Sequence, residues 1–169
     1  MELLIEKVKE EDAFELLEFL KIVGGESDNL TFGKEGIPLS IEEEKTFLRS
    51  IKDSTSNAMF IARINNEIVG NTTFNCSKNN RLKHHGSIAI SVKKKMWNQK
   101  VGTKLMSTIL DFAKNVAGVE IVFLEVRSDN VNAIKLYQKF GFVKTGVYPG
   151  YLKVNDQLFD VDLMCLKFN

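Results

Sequence analysis

The sequence predicts a mixed α/β fold: a mostly antiparallel sheet of about seven strands with one parallel pair, and helices on both faces. Three observations carry this. Short apolar runs with strand-like composition recur along all 169 residues. Segments with apolar residues at helical spacing separate some of them. Between Ile88 and Val126 the order is strand, helix, strand, and a crossover of that kind joins parallel neighbours.

Taken in order, Leu3 to Val8 reads as a first strand. Glu10-Glu11-Asp12 then leads a helix with Ala13, Leu16, Leu17 and Leu20 on one face, which Gly24-Gly25 should end. Residues 26–38 turn to Gly, Asp, Asn, Thr and Pro, a loop long enough to suggest a function. Ser40 with Glu43 three positions on forms a capping box before a second helix carrying Phe47, Leu48 and Ile51 inward. Met59–Ile64, the pair Asn65-Asn66 and Glu67–Phe74 read as a strand, tight turn, strand hairpin. A polar loop follows at residues 77–83. Later come a helix over 131–139, a strand from Phe142 to Val147, a turn at Tyr148-Pro149-Gly150-Tyr151, a polar loop at Asn155-Asp156, and a last strand over 159–168. Without repeats or linker composition, residues 1–169 read as a single domain.

Composition removes several function classes. A net charge of +1 lacks the basic excess of a dedicated nucleic-acid binder. Cys76 and Cys165 are too few and too far apart for a metal site or a disulfide framework, so no metal is expected. No apolar run approaches a membrane span, and the N-terminus lacks the pattern of a secretory signal, so the expected location is cytoplasmic. No G-x-x-x-x-G-K-[ST] occurs, which excludes a P-loop phosphate site.

The chemically informative stretch runs from Ser87 to Thr108. Ile88, Ile90 and Val92 alternate with Ala89 and Ser91 as in a strand, a polar loop follows, and Val101, Leu105, Ile109 and Phe112 continue at helical spacing. A helix N-terminus presents unpartnered N–H groups and the positive end of the helix dipole, so strand, loop and helix together can cradle a phosphate by main chain. Gly102 sits where such a loop needs no Cβ.

This segment resembles motif A of the GNAT superfamily of N-acetyltransferases, whose pyrophosphate loop is usually [RQ]-x-x-G-x-[GA]. Here it reads Trp97-Asn98-Gln99-Lys100-Val101-Gly102, with Trp97 in place of Arg or Gln and Lys100 in place of the first Gly. A second match lies downstream. Asn130-Val131-Asn132-Ala133-Ile134-Lys135-Leu136-Tyr137-Gln138-Lys139-Phe140-Gly141-Phe142 resembles the family's N-x-x-A-x-x-L-Y-x-K-x-G-F signature at every lettered position. The two motifs cover roughly residues 85–147. The resemblance implies the acyl-CoA N-acyltransferase fold, in which the parallel strand pair splays apart and admits the thioester arm of acetyl-CoA.

It also implies roles for particular residues. Main chain around Ile90, Ser91 and Val92 would pair with the pantetheine arm and polarise the thioester carbonyl. Asn98, Gln99, Lys100, Val101, Gly102, Thr103 and Lys104 would hold the pyrophosphate, with Lys93, Lys94 and Lys95 adding charge or simply forming a solvated face. Trp97 covers the loop or belongs to the core. Tyr137 would be the general acid for the departing thiolate, its phenol being protonated at neutral pH. Asn130 would bind the pantetheine arm or cap its own helix, with Asp129 able to cap in its place and Asn132 as second choice for the cofactor.

Two readings of Glu125 stay open. It is the lone carboxylate in an apolar strand, where burial would raise its pKa into the range of a general base, and its L-E-V-R context resembles acetyltransferases acting on protein N-termini. Alternatively it forms a structural ion pair with Arg127, two positions on along the same strand face. For the acceptor the resemblance points to the 24–29 loop and the segment 148–156. Glu26 and Asp28 would attract a cationic amine, and Tyr148 and Tyr151 would wall a pocket. The stretch from Gly146 to Asp162 resembles family members acting on ribosomal-protein N-termini or on small amines. Two functions are therefore expected: an acetyl-CoA-dependent N-acetyltransferase working by direct attack, or a non-catalytic acyl-CoA-binding sensor. Exposed sheet edges make a homodimer plausible.

Overall fold

The computed structural model describes residues 2–169. Seven strands form one sheet: β1 (Leu4–Lys7), β2 (Asn57–Ile64), β3 (Glu67–Cys76), β4 (His85–Val92), β5 (Ile121–Arg127), β6 (Val143–Val154) and β7 (Gln157–Lys167). Their order is β1-β2-β3-β4-β5-β7-β6, antiparallel everywhere except between β4 and β5. Four α-helices accompany them: α1 (Ala13–Glu26), α2 (Ile41–Ile51), α3 (Val101–Asp111) and α4 (Val131–Lys139).

The alternation of strand side chains divides the core between two faces. Phe74, Ile88, Val122, Leu124 and Val126 point to α3 and α4, where they meet Met106, Ile109 and Tyr137. On the opposite face Met59, Ile61 and Ile68 pack beneath Leu16, Phe19 and Leu20 of α1 and Leu48 and Ile51 of α2. Arg63 anchors the start of α1 to the sheet through ion pairs to Glu6, Asp12 and Glu15.

Local chemistry explains most boundaries. Ser40 and Glu43 exchange hydrogen bonds at the start of α2, the Ser40 N–H donating to Glu43 and the Glu43 N–H to the Ser40 hydroxyl. Such a cap contributes about 1 kcal/mol. Asn65 and Asn66 both have positive φ, as a two-residue hairpin turn requires.

Three expectations need correction. The helix α1 does not stop at Gly24-Gly25 but runs through both to Glu26. A Cβ on Gly24 would come within 2.0 Å of the Gly33 carbonyl oxygen, so this glycine serves a close approach between the helix and the loop after it rather than a helix end. Phe47 is not inward; it is exposed, and the α2 residue that takes the buried stripe beside Leu48 and Ile51 is Glu44. The turn expected at residues 148–151 is instead an irregularity within the single long strand β6, where the register against β7 shifts between Tyr148 and Leu152 and the Gly150 N–H donates to Asp160. The actual reversal is at Asn155-Asp156, both with positive φ.

Candidate active site

A gap in the sheet defines the site. The strands β4 and β5 pair only through His85–Ser87 against Ile121–Phe123. Beyond that point β4 keeps its pairing with β3 as far as Val92, and β5 keeps its pairing with β7 as far as Arg127. The two parallel strands therefore diverge, and their facing edges from Ile88 and Leu124 onward carry no ladder. Ile90, Ser91 and Val92 lie on that open edge. The Val92 carbonyl is occupied, because the Trp97 indole N–H donates to it at 2.9 Å.

At the open end of the gap lies the loop to α3. Asn98 and Lys100 both have positive φ, and Lys100 is the N-cap of α3 in the left-handed conformation. This explains the glycine usual at that position in the resembling motif: the backbone conformation needs no side chain, and here a lysine adopts it at a cost. Intrahelical bonding begins with the Lys104 N–H donating to the Lys100 carbonyl, which leaves the N–H groups of Val101, Gly102 and Thr103 without helical partners. Gly102 also lets helices meet, since a Cβ there would lie 3.1 Å from Leu136 of α4.

The nearby cations divide. Lys93 is buried, ion-paired with Glu67 at 2.6 Å and placed over the Phe19 ring; Lys95 shares Glu67. These two lysines hold Glu67 below the usual carboxylate range and brace the loop. Lys94 lies over the Trp97 ring. Lys100 and Lys104 are exposed and make no ion pair among the described residues, so they remain able to face an anion. The Trp97 side chain is 38% exposed and pins the loop back to β4 rather than filling the core.

Tyr137 sits on α4 among Val126, Phe142 and Met164, 7% exposed. Burial pushes its phenol well above the ordinary tyrosine value, so the hydroxyl is protonated across the physiological range. The hydroxyl has no hydrogen-bond partner among the described residues, yet it is not one of the sealed, orphaned polar atoms. Its remaining accessibility therefore includes the donor atom. Asn130 is the N-cap of α4, accepting from the Ala133 N–H with its side-chain oxygen. Its amide nitrogen stays available. Asp129 does not cap in its place, because Arg127 holds it in a two-point ion pair that keeps its carboxyl below the ordinary range. Asn132 is exposed on the first turn of α4.

Neither reading of Glu125 survives in its original form. Side chains of Ile121, Phe123, Glu125 and Arg127 share the sheet face opposite α3, and Glu125 is exposed there, so the expected burial is absent. Nor does it pair with Arg127, whose guanidinium is committed to Asp129, to the Asp28 carbonyl and to the Phe159 ring at 3.6 Å. Among the described residues the carboxylate has no partner, and it is exposed on the face beside the gap.

The residues expected at the acceptor lie at the same end of the sheet, except for the tyrosines. One oxygen of Glu26 accepts from the Lys94 N–H at 2.6 Å, which ties the end of α1 to the segment between β4 and α3. Asp28 is exposed and its carbonyl meets Arg127. Tyr148 and Tyr151 stack on each other, ring centroids 5.2 Å apart, on the outer strand β6. Two polar features were not anticipated: the Ser91 hydroxyl donates to buried Asn71 at 2.5 Å, and Arg127 acts as a clamp. The Arg127–Asp129 spacing, two apart across a strand end, was the available signal for the second. The first was invisible because it joins neighbouring strands.

Comparison with known proteins agrees with this arrangement. Residues 27–142 match the model of the acetyltransferase (GNAT) family. An L-amino acid N-acetyltransferase, AaaT, from Escherichia coli is 28% identical over 114 residues, 68% of this chain and 70% of that protein. The acetyltransferase of the GNAT family from Streptococcus pneumoniae superposes with a TM-score of 0.95 at 30% identity, covering 99% of this chain and 100% of that one. Salmonella typhimurium yncA, solved with its cofactor acetyl-CoA, shares the fold with a TM-score of 0.85 at 15% identity over 99% and 94% of the two chains. With the diverging parallel strands, the left-handed N-cap of α3 and the family match in agreement, the chain belongs to the GNAT acetyltransferase family and is an acetyl-CoA-dependent acyltransferase.

Proposed function

We propose that the protein transfers the acetyl group of acetyl-CoA to a primary amine, either a small amine or a peptide N-terminus, by direct attack within a ternary complex. We read residues 1–169 as one catalytic domain. The observation that carries the chemistry is Tyr137: a phenol kept protonated by burial, with a hydroxyl that spends no hydrogen bond among the described residues. Such a group can give its proton to a departing thiolate.

The fit to the cofactor rests on the first turn of α3. Unpartnered N–H groups at Val101, Gly102 and Thr103, the left-handed cap at Lys100 and the free side chains of Asn98, Lys100 and Lys104 suit a pyrophosphate, while Gln99 uses its amide N–H on the Lys95 carbonyl. The unpaired β4 edge at Ile90, Ser91 and Val92 suits an amide-bearing arm, with Asn130 and then Asn132 on the α4 side. When bound, acetyl-CoA supplies the activated acetyl group; everything else falls to the chain. Glu125, free on the open face, accepts the proton of the attacking amine. Glu26 and Asp28 favour a cationic acceptor, and Tyr148 and Tyr151 border its approach from the outer strand. The relative from Escherichia coli is named for L-amino acids, which supports an α-amine among the acceptors.

The sensor alternative rested on the departures at Trp97 and Lys100. Both side chains have places that preserve the loop, so that reading loses its motive. The test is release of coenzyme A thiol from acetyl-CoA against polyamines, aminoglycosides, amino acids and peptides with free N-termini. Acetyl-dependent thiol release with at least one primary amine supports the proposal; silence across the panel with acetyl-CoA demonstrably bound overturns it.

A further inference from the structure

The helices α1 and α2 cover only part of their sheet face. Their apolar contacts are with Met59, Ile61 and Ile68 of β2 and β3, whereas Ser87 and Ala89 of β4 and Phe123 and Glu125 of β5, on the same face, are exposed. Strand register identifies what lies there. Thr73 is opposite Ala89 and Asn75 is opposite Ser87, so these four share one face, and Ser87 pairs with Phe123 across the parallel ladder. Asn75, Ser87, Ala89, Phe123 and Glu125 are exposed on this strip. At its lower end, where β4 and β5 are still paired, a cavity of about 380 Å³, broadly open to solvent, is lined by residues that include Asn75, Ser77, His85, Ser87 and Phe123. Phe123 and His85 meet edge to face at 5.2 Å, and Phe123 leaves 38% of its surface bare.

We propose that this cavity is a distal subsite for the acceptor, and that the preferred acceptor is a peptide amino terminus with an apolar side chain at its third or fourth residue. The inference rests on the acceptor reading above and adds its substrate class. Ser91, at the gap, and Ser87, at the cavity, are four residues apart on one strand, about 13 Å at the usual rise. An extended peptide spans that distance between its terminal nitrogen and its third or fourth side chain. Free amino acids are too short to reach. Chemistry is graded along the same line. The upper end carries Glu125 and Asp28, which suit an ammonium group; the lower end has two aromatic rings, and no carboxylate is among the described residues that line it. Between them Thr73 offers a hydroxyl, and Asn75 and Ser87 at the cavity offer amide and hydroxyl groups, to a peptide backbone. The volume falls within the range of small-molecule sites.

The experiment compares kcat/KM for three acceptors under saturating acetyl-CoA: alaninamide, the amide of Ala-Ala-Phe-Phe, and the amide of Ala-Ala-Asp-Asp. Wild type should favour the phenylalanine peptide over both others by about tenfold or more, the amount expected for burying an aromatic side chain. Ser87→Trp, which fills the cavity from an exposed position, should erase most of that preference, mainly through KM; Phe123→Ala should reduce it. Equal kcat/KM for the three acceptors, or a preference untouched by Ser87→Trp, overturns the subsite while leaving the acetyltransferase reading intact. Turnover of small amines with no turnover of peptides does the same. If no amine at all is acetylated, the acceptor reading fails. The subsite is then judged by calorimetric titration of the phenylalanine peptide: binding by wild type and loss in Ser87→Trp supports it, and no binding to wild type overturns it.

Discussion

Arg127 and Asp28 are 99 positions apart in sequence, yet the Nη1 of Arg127 donates to the Asp28 carbonyl at 3.1 Å. The same guanidinium grips Asp129, the residue before the α4 cap, and lies over Phe159 of β7. One side chain thus joins the loop after α1, the end of β5 and the start of α4. Replacing Arg127 with Ala should raise KM for the amine by roughly tenfold, in line with the loss of charge-assisted hydrogen bonds, while changing kcat much less. Lys should rescue poorly, because a point charge cannot reproduce the planar fork. Steady-state kinetics with each substrate varied separately check both statements.

Lys100 holds a conformation that suits glycine. A left-handed L-residue costs about 1–2 kcal/mol, and glycine loses about 0.5–1 kcal/mol through unfolded-state freedom, so Lys100→Gly should stabilise the fold by roughly 0.5–1 kcal/mol. Denaturant unfolding measures it. Lys100→Val should move the midpoint the other way, since a β-branched residue tolerates positive φ worst.

Tyr137→Phe removes the donor and keeps the packing against Phe142. Turnover should fall by about 10²-fold or more with KM for acetyl-CoA nearly unchanged. Because burial raises the phenol above its ordinary value, Tyr137 should contribute no alkaline limb at or below pH 10. Equal rates for the variant and wild type would remove Tyr137 from the chemistry.

Glu125→Gln separates the proton-accepting role from any structural one. The side chain is exposed and makes no ion pair with Arg127, so thermal stability should hardly move. Turnover should drop by about 10²-fold, with KM for acetyl-CoA nearly unchanged. Unchanged turnover would assign the proton to water instead.

Glu44 is 1% exposed, and neither carboxylate oxygen has a partner among the described residues. Desolvation raises its pKa above the ordinary 4.5. The folded state therefore binds the proton more tightly than the unfolded chain. Stability from this group is complete below about pH 4.5 and is lost as pH rises through the elevated value. Glu44→Met, similar in length and apolar, should abolish that slope and stabilise the protein at neutral pH by about 1–3 kcal/mol. Unfolding curves at pH 4 and pH 7 provide the comparison.

Local patterning made much of this molecule legible. The Ser40–Glu43 box, the Asn65-Asn66 turn, the apolar stripe of α1 and the helix at residues 131–139 are consequences of short-range rules, and each forms as its residues dictate. The phosphate-loop and tyrosine motifs identified the family for a related reason: both lie within short contiguous segments whose spacing carries the chemistry. The amino-acid sequence by itself therefore determined the element order and the family. Tertiary structure decided the partners of charges. Whether Glu125 is buried, whether Arg127 meets Glu125 or Asp129, and whether Glu26 faces an amine or the Lys94 N–H depend on which strands and loops lie side by side. Those distances follow from the packing of α1 and its loop against the ends of β4 and β5. Coulomb and hydrogen-bond energies act over a few ångströms in space, and separation along the chain does not encode them.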